Sequence, residues 1–145
     1  MAYYLDLFSP ETYGAFTASD RSISGFRMRQ KRIAAGIVPG DKLICYMTKL
    51  SRWTGILEVN SHYFLDDTPI FLPMADPFQV RFRVSPQVWL APEQSIPIRH
   101  DICWKHLSFT KNLSRAGSSW TGTIRSSLRA CLKSFDKRRR EADNR

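Results

Sequence analysis

The sequence predicts an α+β fold, a small mixed but mostly antiparallel β-barrel flanked by short helices, and three observations carry that expectation. Elements read in the order β-α-α, then several strands, then a helix, and strands that follow one another with few helices between them favour antiparallel pairing. The segment FQVRFRV, residues 78–84, sets Phe78, Val80, Phe82 and Val84 against Gln79, Arg81 and Arg83, which predicts a half-buried strand with a basic outer face. At 145 residues the chain fits one domain that closes a core without a metal or disulfide. Residues 1–132 are assigned to that domain and 133–145 to a basic, flexible tail.

YYLDLF, residues 3–8, is short and rich in aromatics, as strands are. Ser9 then reads as a helix N-cap with Pro10 at the first helical position, and Tyr13 and Phe16 give the short helix an apolar face. A second helix is expected over residues 25–37, GFRMRQKRIAAGI, the densest basic surface on the body of the protein. VPGD marks a turn, and a hairpin follows with strands at 42–48 and 53–60. Its polar mouth, TKLSR, carries Lys49 and Arg52 beside Trp53, where ordinary tips use glycine, asparagine or aspartate. PIFLP, the 78–84 strand and QVWLAP extend the sheet, and DICWKHL reads as a short helical segment. In the last stretch Ile124, Leu128, Cys131 and Leu132 share one helical face.

Net charge is the most informative bulk quantity. At +9 with a pI near 9.9, the chain calls for a polyanionic partner, nucleic acid before membrane, since no basic helix with an aromatic face is present. The tail supplies +3 of that charge and the body the rest. No apolar run approaches the roughly 20 residues of a membrane span, and the N-terminal residues lack the features of a signal peptide, so a cytoplasmic location is expected. Cys45, Cys103 and Cys131 are odd in number and widely spaced, which reads as buried thiols. His62, His100 and His106 form no zinc pattern, and neither a metal nor another cofactor is expected.

Catalysis finds little support. Walker, dinucleotide, nucleophile-elbow and zincin motifs are all missing from the sequence. Asp66 and Asp67 are adjacent, so on extended backbone they point to opposite faces and suit a turn better than acid and base work. A binding module is the expectation, not an enzyme. Aromatic residues interleaved with cations point the same way, because bases stack on aromatic faces while lysine and arginine meet phosphates. Tyr4, Phe26, Tyr46, Trp53, Phe82, Trp89, Trp104 and Trp120 all sit in or beside basic stretches. Phe82 and Trp89 are assigned to the core; Trp53 either walls a pocket or pins the hairpin to the barrel.

The order of these motifs carries a resemblance. VPGDKLICYM, followed after a polar loop by WTGILEV, resembles the central hairpin of the EVE domain, a PUA-like relative of the YTH domain. YYLDLFSPE is similar to the family's opening strand and turn, and GFRMRQ to the loop and helix before the hairpin. PFQVRFRV looks like a later barrel strand, and LSFTKNLSRAGSSW with the final helix resembles the C-terminal portion of a bacterial and archaeal branch. The similarity covers most of residues 3–132.

That resemblance implies a PUA-like barrel whose pocket takes up a base. YTH relatives hold N6-methylated adenine in an aromatic cage, and bacterial EVE domains fused to nucleases are linked with modified cytosines in DNA. It places Ser9, Phe26, Arg27, the strand end Tyr46, Met47 and Thr48, and Trp53 at the pocket or its rim. Ser118, Ser119 and Trp120 fall on the other side. Lys49, Arg52, Arg29 and Arg32 are the expected phosphate contacts. The implied partner is DNA or RNA with a modified base, with a nuclease or modification enzyme as a possible companion. A protein that binds modified nucleosides or small molecules is the alternative.

Overall fold

The computed structural model of the chain describes residues 2–71, 73 and 77–97, together with 137, 140, 141 and 144. Ser118, Ser119, Trp120, Trp104, Cys103, Cys131, His100, His106 and the two C-terminal helical segments expected from sequence lie outside the described residues.

Strand β1, Tyr3–Phe8, buries Asp6 and Phe8 and turns Leu7 outward. Ser9 ends it and caps helix α1, Pro10–Ala18. The cap is reciprocal: the Thr12 amide donates to Ser9 Oγ at 3.1 Å, and the Ser9 amide donates to Thr12 Oγ1 at 2.8 Å. Two otherwise unpaired helix-end donors are thereby satisfied. Tyr13 and Phe16 are buried, as the apolar spacing predicts.

The helix expected over residues 25–37 is corrected. Ile23–Phe26 form a strand, β2, whose Gly25 and Phe26 pair with Arg81 and Val80. Only a 3-10 turn at Met28–Gln30 and a single helical turn, α2 at Lys31–Ala34, follow. Sheet pairing has claimed the backbone groups that a longer helix would need.

Strands β3, Lys42–Met47, and β4, Arg52–Val59, form the expected antiparallel hairpin, with a register shift between Cys45 and Tyr46. At its mouth Lys49 and Ser51 adopt left-handed backbone, φ 65° and 53°. Non-glycine residues in that region are strained by on the order of 1 kcal/mol or more each. The Thr48 amide donates to Phe8 O at 2.8 Å and ties the mouth to β1.

Phe64–Leu65 form the short strand β5. Strand β6, Val80–Trp89, merges the two strands expected separately and carries Pro86 in its interior. A register shift between Ile56 and Leu57 on the facing strand accommodates that proline, whose missing N–H would otherwise break the ladder. Ile96–Pro97, β7, pairs with Arg52 and Trp53.

Among the described residues the strands run in the order β1-β3-β4-β6-β2, with β1 and β3 parallel and the other neighbours antiparallel. β1 and β2 end that path, yet Ser24 of β2 donates to the Asp6 carboxylate of β1 at 2.6 Å. The sheet therefore curls until its first and last strands face each other. Phe8, Phe16, Phe26, Leu43, Met47, Leu57 and Phe82 fill the inside of the curl. Ile44, Trp53, Ile56, Val88, Leu90 and Ile96 form a second cluster. Alternation along β3, where Leu43, Cys45 and Met47 join the first and Ile44 the second, assigns the clusters to opposite faces.

One charged residue departs from the alternation expected for β6. Arg81 belongs to the predicted basic outer face but is only 1% exposed. The segment following β5 folds over it: its guanidinium donates to the Phe78, Pro77 and Thr68 carbonyls and to Thr68 Oγ1, and ion-pairs with Asp66 at 3.3 Å. Asp66 in turn accepts from the Thr68 amide and hydroxyl, the turn role expected of it. Among the described residues no helix is long and apolar enough to cross a membrane.

Candidate nucleic-acid interface

A cavity of about 240 Å³ opens where β1 and β2 face each other. That is below the roughly 300–1,000 Å³ typical of drug-sized sites. Its lining comes from four places: the end of β1 with Asp6 and Leu7, the capped start of α1 with Ser9 and Thr12, β2 and the turn after it, and Thr48 with Phe78. β2 and its turn supply Gly25, Phe26, Arg27, Arg29 and Gln30.

The sequence folds this way for local reasons. The reciprocal cap holds the Ser9 and Thr12 hydroxyls side by side, 3.1 Å apart. Thr48 is held at the hairpin mouth by the Phe8 carbonyl, which also accepts from Thr48 Oγ1 at 3.3 Å. Gln30 accepts from the Arg27 amide at 3.3 Å and closes the 3-10 turn that carries both arginines. Gly25 permits the approach of Phe78: a Cβ there would lie 2.8 Å from Phe78 Cβ and 2.9 Å from its carbonyl oxygen. Arg27 then stacks on the Phe78 ring, 4.9 Å from its centroid. Phe26 is fixed from behind by an edge contact with Phe82 at 5.9 Å.

Polarity is graded along the cavity. Asp6, Gly25 and Phe26 are buried, Arg27 is half-buried and Arg29 is exposed. Burial pushes the Asp6 carboxyl up to about 7, with the Ser24 hydrogen bond pulling the other way. The Cys45 thiol, opposite Asp6 in the β1–β3 register, is raised well above its ordinary range by burial and by Asp6. It is inert as a nucleophile there. Among the described residues no three His, Cys, Asp or Glu side chains gather as a metal ion would require.

Of the residues expected at the base pocket, Ser9, Phe26, Arg27 and Thr48 line this cavity, and so does Arg29, expected at a phosphate. Met47, Tyr46 and Trp53 do not. Met47 is 1% exposed inside the curl. Trp53 is fully buried in the second cluster, with Tyr46 packed edge-on against it at 5.1 Å. Of the two readings its position left open, a pocket wall or a pin for the hairpin, the burial fits the second: β7 pairs across it and seals the indole in. Arg32 is exposed on α2. Lys49 forms an exposed ion pair with Glu11 at 3.4 Å, and Arg52 donates to the Ser95 carbonyl at 3.3 Å. Trp89, assigned to the core, is half-buried against it, stacked on Tyr13 at 5.3 Å.

Sequence reasoning missed Asp6, Leu7, Thr12, Gly25, Gln30 and Phe78 as cavity residues. Asp6 had a visible signal, as the lone charge in the otherwise apolar and aromatic strand YYLDLF. Phe78 had none, because its left-handed backbone, φ 55°, breaks the alternation that assigned it to the core.

No protein-family model matches the chain, and no curated protein does. Solved structures do match. The chain is similar to the YTH domain of Mmi1, with a TM-score of 0.62 and 16% identity over 91% of this chain and 88% of that one. It is similar to the YTH domain of MRB1 from Zygosaccharomyces rouxii, solved in complex with N6-methyladenosine RNA: TM-score 0.57, 18% identity, 92% of this chain and 86% of that one. Rpa0253 from Rhodopseudomonas palustris matches at TM-score 0.57 and 14% identity, covering 94% of both chains. These likenesses show the fold: α+β of the PUA-like kind, a curled mixed sheet with short helices, shared with YTH domains.

Proposed function

We propose that this chain is an EVE-type, non-catalytic module that takes one modified base of a nucleic acid into the cavity between β1 and β2. The observation that carries the reading is the cavity itself, where two phenylalanines and a set of hydroxyls meet a pair of arginines. Phe26 and Phe78 supply aromatic surface, worth roughly 1 to 3 kcal/mol per stacked base. Arg27 and Arg29 reach toward flanking phosphates, and Lys49 joins them by exchanging its pair with Glu11, which is exposed and so weakly held. A methyl group adds only about 0.8 kcal/mol of burial, so discrimination depends on the fit of the aromatic walls. The RNA complex of the MRB1 YTH domain, on the same fold, supports the choice of partner.

The modification is a methylated or hydroxymethylated cytosine or a methylated adenine, in DNA or RNA, and a nuclease or modification enzyme is the fitting companion. Binding of matched DNA and RNA oligonucleotides with and without these modifications, at two salt concentrations, tests the reading. Modification-dependent binding that Phe78→Ala abolishes supports it, as does a salt slope reduced by about 1 in Arg29→Gln. Free modified nucleosides bound as tightly as oligonucleotides favour the second reading, a nucleoside-binding protein, which the small cavity volume also permits.

A further inference from the structure

The buried end of the cavity holds a carboxyl group, and a base-binding pocket has no need of an acid for stacking or for phosphate. Asp6 is 2% exposed, lines the cavity and receives the Ser24 hydroxyl on Oδ2 at 2.6 Å. Ser24 is itself fully buried, so the pair is anchored from β2 and its geometry is set before any ligand arrives. A carboxyl fixed through one oxygen presents a flat, two-point hydrogen-bonding edge.

We propose that Asp6, seated on Ser24, reads the edge of the inserted base, and that it selects bases with a ring-nitrogen acceptor beside an exocyclic amino donor, adenine and cytosine, over guanine, uracil and thymine. This rests on the cavity being the base pocket.

The selection follows from the protonation state. A carboxylic acid donates through its hydroxyl and accepts through its carbonyl, matching an acceptor next to a donor. A carboxylate only accepts and matches the adjacent donors of guanine. Burial holds Asp6 near the midpoint of its titration at neutral pH, so the acid form is present for binding. The groups around it are Cys45 on β3, kept neutral by its own burial, the Ser24 hydroxyl on β2, and Arg27 and Arg29 beyond β2. From α1 the cavity receives the Thr12 hydroxyl, while Glu11 is paired with Lys49 at the surface. The pH response of base selection therefore belongs to Asp6.

The test uses the full chain and short single-stranded DNA and RNA oligonucleotides identical but for one central base, with and without its methyl group, titrated between pH 5.5 and 8.5. At pH 5.5 adenine- or cytosine-centred strands are expected to bind on the order of tenfold more tightly than guanine- or thymine-centred ones. That affinity is expected to fall about tenfold per pH unit once the pH passes neutrality, following the loss of the acid form. Asp6→Asn, which keeps one donor and one acceptor, retains the preference and flattens the pH profile; Ser24→Ala, which frees the carboxyl to turn, weakens the preference. A guanine preference at pH 5.5, where Asp6 carries its proton, overturns the inference, and so does a base preference and pH profile that neither variant alters. Base-indifferent binding that Phe78→Ala still abolishes removes the role of Asp6 and leaves the pocket standing. Binding to no strand and no nucleoside removes the pocket reading with it.

Discussion

Ser24 Oγ lies 2.6 Å from Asp6 Oδ2, a bond between the two strands that end the sheet's pairing path. Strands at opposite ends of an open sheet do not ordinarily touch. Here the curl brings them together without a backbone ladder between them, and side chains alone bridge the gap. The cavity sits at that gap because an unpaired seam is where a curled sheet leaves room.

The buried acid makes stability depend on pH. The folded-state value of Asp6, about 7, lies above its ordinary 3.8, so protons bind the folded protein more tightly than the unfolded chain. The contribution is fully present below about pH 4 and is lost as pH rises through 7. A rise of about 3 units sets its upper limit on the order of 4 kcal/mol. Chemical denaturation at pH 5 and pH 8 is expected to show the protein less stable at the higher pH. Asp6→Asn is expected to be the more stable form at pH 8, and a wild-type stability that rises between those values would contradict the burial argument.

Gly25→Ala tests the close approach that shapes the cavity. The added methyl would collide with the Phe78 backbone and Cβ, and neither is the far end of a flexible side chain. Overpacking of this kind costs about 1–3 kcal/mol. A lowered denaturation midpoint is expected, and at temperatures where the variant remains folded, a loss of oligonucleotide binding larger than that caused by Arg29→Gln. Wild-type binding in a folded Gly25→Ala protein would separate Phe78 from the site.

Much of the fold was legible because local rules agree with the tertiary outcome. Ser9-Pro10 reads as a helix start and is one; the hairpin follows from its two apolar runs and polar mouth. Residues 25–37 misled because basic residues and the Ile33–Ile37 spacing look helical, while the pairing of β2 with β6 spans more than fifty positions and leaves no local trace. Arg81 misled for a related reason: alternation assigns a face correctly but does not say what lies over it. At the cavity, Ser9, Phe26, Arg27 and Thr48 were visible as candidate lining through motif order, whereas Phe78 depended on a backbone conformation and on a missing Cβ at Gly25.

Arg81 is a structural residue whose loss should reach the cavity indirectly. Its Nε holds the Phe78 carbonyl at 3.2 Å, and the same guanidinium holds the Thr68 and Pro77 carbonyls. Arg81→Met leaves those acceptors without a donor in a buried place, which costs about 3 kcal/mol. Arg81→Lys is expected to recover little of it, because one ammonium cannot span the positions a planar fork reaches. Limited proteolysis should show faster cleavage between residues 66 and 78 in both variants. Protection equal to wild type in the methionine variant would show that the segment is held by its apolar contacts alone.

Trp53 offers the sharpest separation between the two meanings of an aromatic beside cations. Its indole is fully buried with Ile56, Val88 and Ile96, and β7 covers it. Trp53→Ala is therefore expected to lower stability by about 3–5 kcal/mol, the range for a large core aromatic. Oligonucleotide affinity, measured at a temperature where the variant is folded, is expected to stay within about twofold of wild type, since the cavity lining is drawn from other residues. Phe78→Ala should show the converse, with a smaller loss of stability and a larger loss of binding. If folded Trp53→Ala instead loses binding while Phe78→Ala retains it, the base pocket is on the second face of the sheet and the β1–β2 cavity is not the site.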